Sequence, residues 1–123
     1  MEHWKWRWEE VERLADQIDF NRYCIEAIYL IGSTKNASAG PGSDIDIIVH
    51  QETNDEFLKQ DLNKLFKEES IRLAKINLEK TGYYMEDGLL DVHYIDNNDI
   101  KNKTSFAVMI NSITDGARLI RKK

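Results

Sequence analysis

The sequence predicts an α/β (α+β) fold, a small mixed β-sheet with helices packed against it, and three observations point that way. The run Glu26 to Ile31 (Glu-Ala-Ile-Tyr-Leu-Ile) is apolar and β-prone, and it stops abruptly at Gly32. Ser43-Asp44-Ile45-Asp46-Ile47-Ile48-Val49 alternates with a strand's period of two, as does Leu89 to Ile95. Between these segments Phe57, Leu58, Leu62, Leu65 and Phe66 recur at the spacing of one helix face.

Taken in order, Trp8, Val11, Ala15 and Ile18 keep helical spacing, so a first helix is expected from about Trp4 to Ile18. The alternation Trp4-Lys5-Trp6-Arg7-Trp8 could also suggest base stacking, but a core stripe explains it more simply. Trp4 then shares the face of Trp8, and Trp6 falls elsewhere, toward solvent. Asp19 to Tyr23 connects to the first strand, and a short helical turn follows it from Thr34 to Ser38. Ala39-Gly40-Pro41-Gly42 forces a turn before the second strand. Thr53 or Asn54 can cap the helix that carries the Phe57, Leu58, Leu62, Leu65 and Phe66 stripe. Ser70 to Lys80 fits helix through Ile71, Ala74 and Leu78, and a strand through Ile71 and Leu73; helix is the preferred reading, ended by Thr81-Gly82. Asp96-Asn97-Asn98-Asp99 reads as a turn, Thr104 to Ile113 as a short helix, and Ala117 to Arg121 as a last strand.

At 123 residues the chain is expected to form one domain over 1–123, with one modest core and no separate acceptor-binding domain. No apolar run approaches the roughly 20 residues that span a bilayer, and Met1-Glu2-His3-Trp4 does not open a signal peptide, so a cytoplasmic location and no membrane partner are expected. The net charge of −5 argues against long nucleic acid as substrate. Lys5/Arg7 and Arg118/Arg121/Lys122/Lys123 are read as solvated ends, although the second cluster could assist an anionic ligand. The single cysteine, Cys24, excludes an internal disulfide and is read as a core thiol. His3 and His50 are read as surface residues. Composition leaves the oligomeric state open.

The chemistry concentrates at Ile31-Gly32-Ser33 and Gly42-Ser43-Asp44-Ile45-Asp46. Gly32 permits close backbone approach, and Ser33 offers a hydroxyl at a helix start, a combination that suits phosphate. Strand alternation turns Asp44 and Asp46 to one face and Ile45 and Ile47 to the other. Two carboxylates 4 Å apart repel by ~4 kcal/mol at an effective dielectric of about 20, so the pair asks for a cation, and Mg²⁺ is the natural candidate. In Gly88 to Ile95, Asp91 and His93 share a face. If that strand lies beside the Asp44/Asp46 strand, Asp91 converges on the same pocket. His93 either borders the pocket or is a packed or surface histidine. Lys35 either contacts phosphate or points into water. Gly32-Ser33-Thr34-Lys35 lacks the spacing of a P-loop, and Asp44 to Asp46 lacks the further ligands of an EF-hand. Each aspartate alone could cap a turn or sit on a strand surface; the joint pattern is what argues for a site.

This pattern of Gly-Ser, a ten-residue gap, Asp-Ile-Asp-Ile and a later acidic residue within an apolar strand resembles the nucleotidyltransferase superfamily of DNA polymerase beta in its minimal, single-domain form. The resemblance runs from about Glu26 to Leu119. Thr81-Gly82-Tyr83, Asp87 to His93, Thr104 to Val108 and Thr114 to Arg118 further resemble a subgroup sometimes fused to phosphoenolpyruvate synthase or pyruvate phosphate dikinase-like proteins. The family implies an enzyme that moves a nucleoside monophosphate from a nucleoside triphosphate, ATP foremost, to an acceptor hydroxyl with two Mg²⁺ ions. It implies that Asp44 and Asp46 ligate both ions and that Asp91 holds the ion activating the nucleophile. Gly32 and Ser33 then hold the β- and γ-phosphates, and Lys35, Ser43 and His93 complete the nucleotide pocket. Many family members carry an arginine soon after Gly-Ser, where this chain has Thr34, Lys35 and Asn36. With no second domain, the acceptor is expected on, or bound by, a partner protein. The competing expectation is a noncatalytic nucleotide-binding or antitoxin-like interaction module that keeps the pocket.

Overall fold

The computed structural model describes residues 2–103, 107 and 117–123. Its elements are α1 (His3–Gln17), β1 (Ile25–Ile31), α2 (Gly32–Lys35), β2 (Ile45–Gln51), α3 (Glu56–Thr81), β3 (Leu90–Ile95), α4 (Asn97–Asn102) and β4 (Arg118–Lys122). The strands form one mixed sheet in the order β3-β2-β1-β4. β1 runs antiparallel to β2 and to β4, whereas β2 and β3 are parallel. A parallel pair needs a crossover, and α3 supplies it. The helix expected over 104–113 lies outside the described residues apart from Ala107, which is helical and buried.

Alternation divides the sheet's side chains between two cores. Ile45, Ile47 and Val49 of β2 join Val11, Leu14 and Ala15 of α1 and Leu62, Phe66 and Leu73 of α3 in the larger cluster. Ile48 of β2 faces the other way, with Ile31, Ile95 and Ala107. A strand buried on both faces reads as a continuous apolar run, and Ile45 to Val49 has one interruption, Asp46. The ambiguous stretch from Ser70 to Lys80 continues α3 without a break. Gly82 ends that helix in the left-handed conformation at φ 78°, its N–H donating to the Leu78 carbonyl.

Several local expectations are corrected. The cap of α3 is Asp55, whose carboxylate accepts from the N–H groups of Phe57 and Leu58, in place of Thr53 or Asn54. Phe57 lies outside the apolar stripe, 81% exposed in the first turn. Residues 97–102 form a short helix with a capping box between Asp96 and Asp99, where a turn was expected. His50 is buried, its Nε2 2.7 Å from the Asn97 side-chain oxygen, because β2 carries it to the covered second face. Cys24 is only half-buried, at a positive-φ corner before β1.

The largest correction concerns α1. Its buried face is Trp6, Arg7, Val11, Leu14 and Ala15, so Trp6 packs inward, and Trp4 and Trp8 meet edge to face at its margin. Arg7 is no solvated end: it is fully buried. Of the C-terminal basic residues, Arg121 pairs with Asp16 at 2.6 Å and Lys123 with Glu52 at 2.7 Å.

Candidate active site

Three segments converge at the C-terminal end of β1 and the N-terminal ends of β2 and β3. Parallel pairing sets Asp46 directly opposite Asp91, and Ile48 opposite His93. The adjacency that convergence required is therefore present. Ligand atoms of Asp46, Asp91 and His93 lie within 4.8 Å of one another, the group of potential metal-binding side chains among the described residues. His93 Nε2 is 3.4 Å from Asp91 Oδ2 and 3.8 Å from Asp46 Oδ1.

The electrostatics follow from crowding like charges at a half-buried place. Burial pushes the Asp46 carboxyl above its ordinary range; a hydrogen bond with the Asp91 carboxyl and that group's charge push it further, against the pull of His93. Asp44 precedes the first residue of β2 and stands exposed beside the group. Its carboxyl is also raised, by burial first and then by Asp91, while Arg7 opposes the shift. Asp44 lines a separate cleft of about 550 Å³, with Gly42, Tyr83, Tyr84 and Asp87 among its walls. The carboxylates that the structure groups together at this site are thus Asp46 and Asp91, across strands.

Gly32 fits this arrangement for a steric reason. Its φ is +73°, and a Cβ there would stand 2.6 Å from Asp46 Oδ2. Any side chain would strain the backbone and displace the carboxylate. The chain turns at once into α2, whose Ser33 carbonyl accepts from the Ser38 N–H at 2.9 Å. Lys35 donates to the Asn36 side chain at 3.2 Å. The Ser43 hydroxyl accepts from the Gly40 N–H at 3.0 Å, bracing the turn that delivers Asp44.

Sequence reasoning missed the residues behind this turn. Arg7 donates to the Gly40 carbonyl at 2.7 Å and to Asn77 Oδ1 at 2.7 Å, and Asn77 donates to the Pro41 carbonyl at 2.9 Å. The available signal was a polar residue, Asn77, at a core position of α3, and an arginine between two tryptophans.

Gly32 at the end of β1, Asp46 of β2 and Asp91 of the parallel β3 thus bring together carboxylate oxygens that, with His93, could hold a metal ion. The family model described as "Nucleotidyltransferase domain" matches residues 11–118, and the chain belongs to that family. No curated protein matches the chain. Among the described residues, no helix is long and apolar enough to cross a membrane.

Proposed function

We propose that the chain transfers a nucleoside monophosphate from a nucleoside triphosphate, with ATP the first candidate, to an acceptor hydroxyl. The observation that carries this reading is the cross-strand contact of Asp46 and Asp91 beside the side-chain-free Gly32. The donors fit Mg²⁺: hard carboxylate oxygens predominate, and their proton affinity is raised by burial first and then by the neighbouring carboxylates. Asp46, Asp91 and Asp44 would hold two such ions, which when bound neutralise phosphate charge and align the attacking and leaving oxygens.

The remaining work falls to the chain's own groups. Gly32 lets the Asp46 carboxylate close against the backbone, Ser33 and the neighbouring N–H groups bind the β- and γ-phosphates, and Lys35 supplies a further cation. Asp91 accepts the acceptor's proton, and His93, 3.4 Å away, orients that carboxylate. A bond forms between the acceptor oxygen and the α-phosphorus as the bond to pyrophosphate breaks, and the proton passes from Asp91 to water. Catalysis on this reading is placement and charge compensation. The nucleotidyltransferase domain itself takes up residues 11–118, and we assign the acceptor to a partner protein.

Label transfer tests the reading. With Mg²⁺ and cell extract, label from the α-phosphate of ATP, and none from the γ-phosphate, should appear on an acceptor, and Asp46→Asn should abolish it. Nucleotide binding without transfer would favour the noncatalytic interaction module.

A further inference from the structure

Arg7 is a full positive charge with no exposed surface. Among the described residues its ion-pair partners are none, and neutral oxygens receive it instead. Nη1 donates to the Gly40 carbonyl at 2.7 Å; Nη2 donates to Asn77 Oδ1 at 2.7 Å and, more weakly, to the Pro41 carbonyl at 3.4 Å. Its Cζ also lies 5.2 Å from the Trp6 ring centroid. A buried cation held by carbonyls is costly unless the geometry it enforces is needed. Burial depresses its proton affinity, and the field of Asp44 opposes that depression.

Asn77 completes the connection. Fully buried in α3, it accepts from Arg7 through Oδ1 and donates through Nδ2 to the Pro41 carbonyl at 2.9 Å and the Tyr83 carbonyl at 3.0 Å. The reversed amide would set its NH₂ against the guanidinium, so the orientation is dictated. Arg7 and Asn77 therefore tie the 40–42 turn to the start of the 83–88 loop. These are the two walls of the cleft that Asp44 faces.

We infer that Arg7 and Asn77 form a buried lock that positions Asp44 by fixing the 40–42 turn against the 83–88 loop. They are positioning residues, since neither reaches the carboxylate group itself. For its kinetic consequence the inference rests on the proposed nucleotidyl transfer; for the lock it rests on geometry alone. Arg7→Lys keeps the charge but offers no planar fork, and Asn77→Ser keeps a polar group but cannot bridge both loops.

Amide hydrogen exchange on the unliganded protein reads the lock directly. In both variants, exchange at Gly40, Ser43 and Gly88, whose N–H groups are bonded within these loops, should quicken by about tenfold or more, with β1 and β2 unchanged. In turnover, kcat should fall by roughly 10- to 100-fold with KM for the nucleotide held within about twofold, because the Gly32-Ser33 end is untouched. Leu62→Ala, a core truncation in α3, should lower stability without that kinetic split. Unchanged exchange in the loops, or an equal loss everywhere, overturns the lock. A wild type that, with Mg²⁺ and cell extract, moves no label from the α-phosphate of ATP to any acceptor refutes the proposed function, and the exchange result still decides the lock.

Discussion

Two clusters of charge on this protein are built on opposite rules. Between α1 and α3, Glu10 and Glu69 each meet both Arg13 and Arg72, at 2.8–3.4 Å. At the sheet, Asp46 meets Asp91, and the neighbouring basic side chain is the imidazole of His93, 3.8 Å from Asp46. Burial raises Glu69 as well, but there Arg13 pulls back, whereas at the sheet Asp46's neighbour Asp91 adds to the rise. The helix pair uses its charges on each other. The sheet crowds carboxylates against one another, and on the proposed reading a bound cation balances them.

Neutralising one member separates the two rules most sharply. Asp46→Asn or Asp91→Asn should lower metal-dependent turnover by at least about 10²-fold, the scale of removing one electrostatic stabiliser. The unliganded Asp46→Asn protein should nonetheless melt at a higher temperature than wild type, because a like-charge contact is gone. Kinetics and thermal unfolding on the same samples check both directions. A lower melting temperature would mean that Asp46 supports the fold as the helix network does.

Gly32→Ala perturbs the carboxylate cluster without removing a charge. Left-handed strain of about 1–2 kcal/mol and a Cβ pressed on Asp46 should cost stability and nucleotide affinity together. Denaturant unfolding and nucleotide titration measure the two losses. Unchanged affinity would detach Gly32 from the site.

pH sharpens the contrast further. The folded carboxyl of Asp46 binds its proton more tightly than the unfolded one, whose pKa is about 3.9, so the folded state holds the extra proton. Asp46's contribution to stability is therefore fully present below pH ~3.9 and is lost as pH climbs through the raised folded value. The stability difference between Asp46→Asn and wild type should widen over that window and then level off, and saturating Mg²⁺ should shrink it. Thermal unfolding from pH 4 to 8 follows it; a gap independent of pH would contradict the electrostatic origin. At the helix network the effect should be smallest: Glu10→Gln should change stability by only about 1 kcal/mol or less per pair and leave turnover alone.

What the sequence revealed, and what it hid, divides by range. β1, β2 and β3 were legible because alternation and apolar runs are local signals, and the Gly32 boundary because glycine punctuates a strand. Pairing of Asp46 with Asp91 was legible only as a condition, since parallel register depends on how α3 packs. Arg7 was opaque: its partners at residue 40 and residue 77 lie far along the chain, and no periodicity encodes a guanidinium that turns inward. His50 was misread for the same reason, its cover arriving from Asn97. The short α4 hid because its capping residues, Asp96 and Asp99, are also turn residues.

Calorimetric titration of ATP with Mg²⁺ into wild type and Asp46→Asn tests the central claim most directly. Nucleotide binding that requires Mg²⁺ and vanishes in the variant is the predicted result. Binding of equal strength in both proteins, or binding indifferent to Mg²⁺, would contradict the assignment of the Asp46–Asp91 cluster as the place where metal and nucleotide meet.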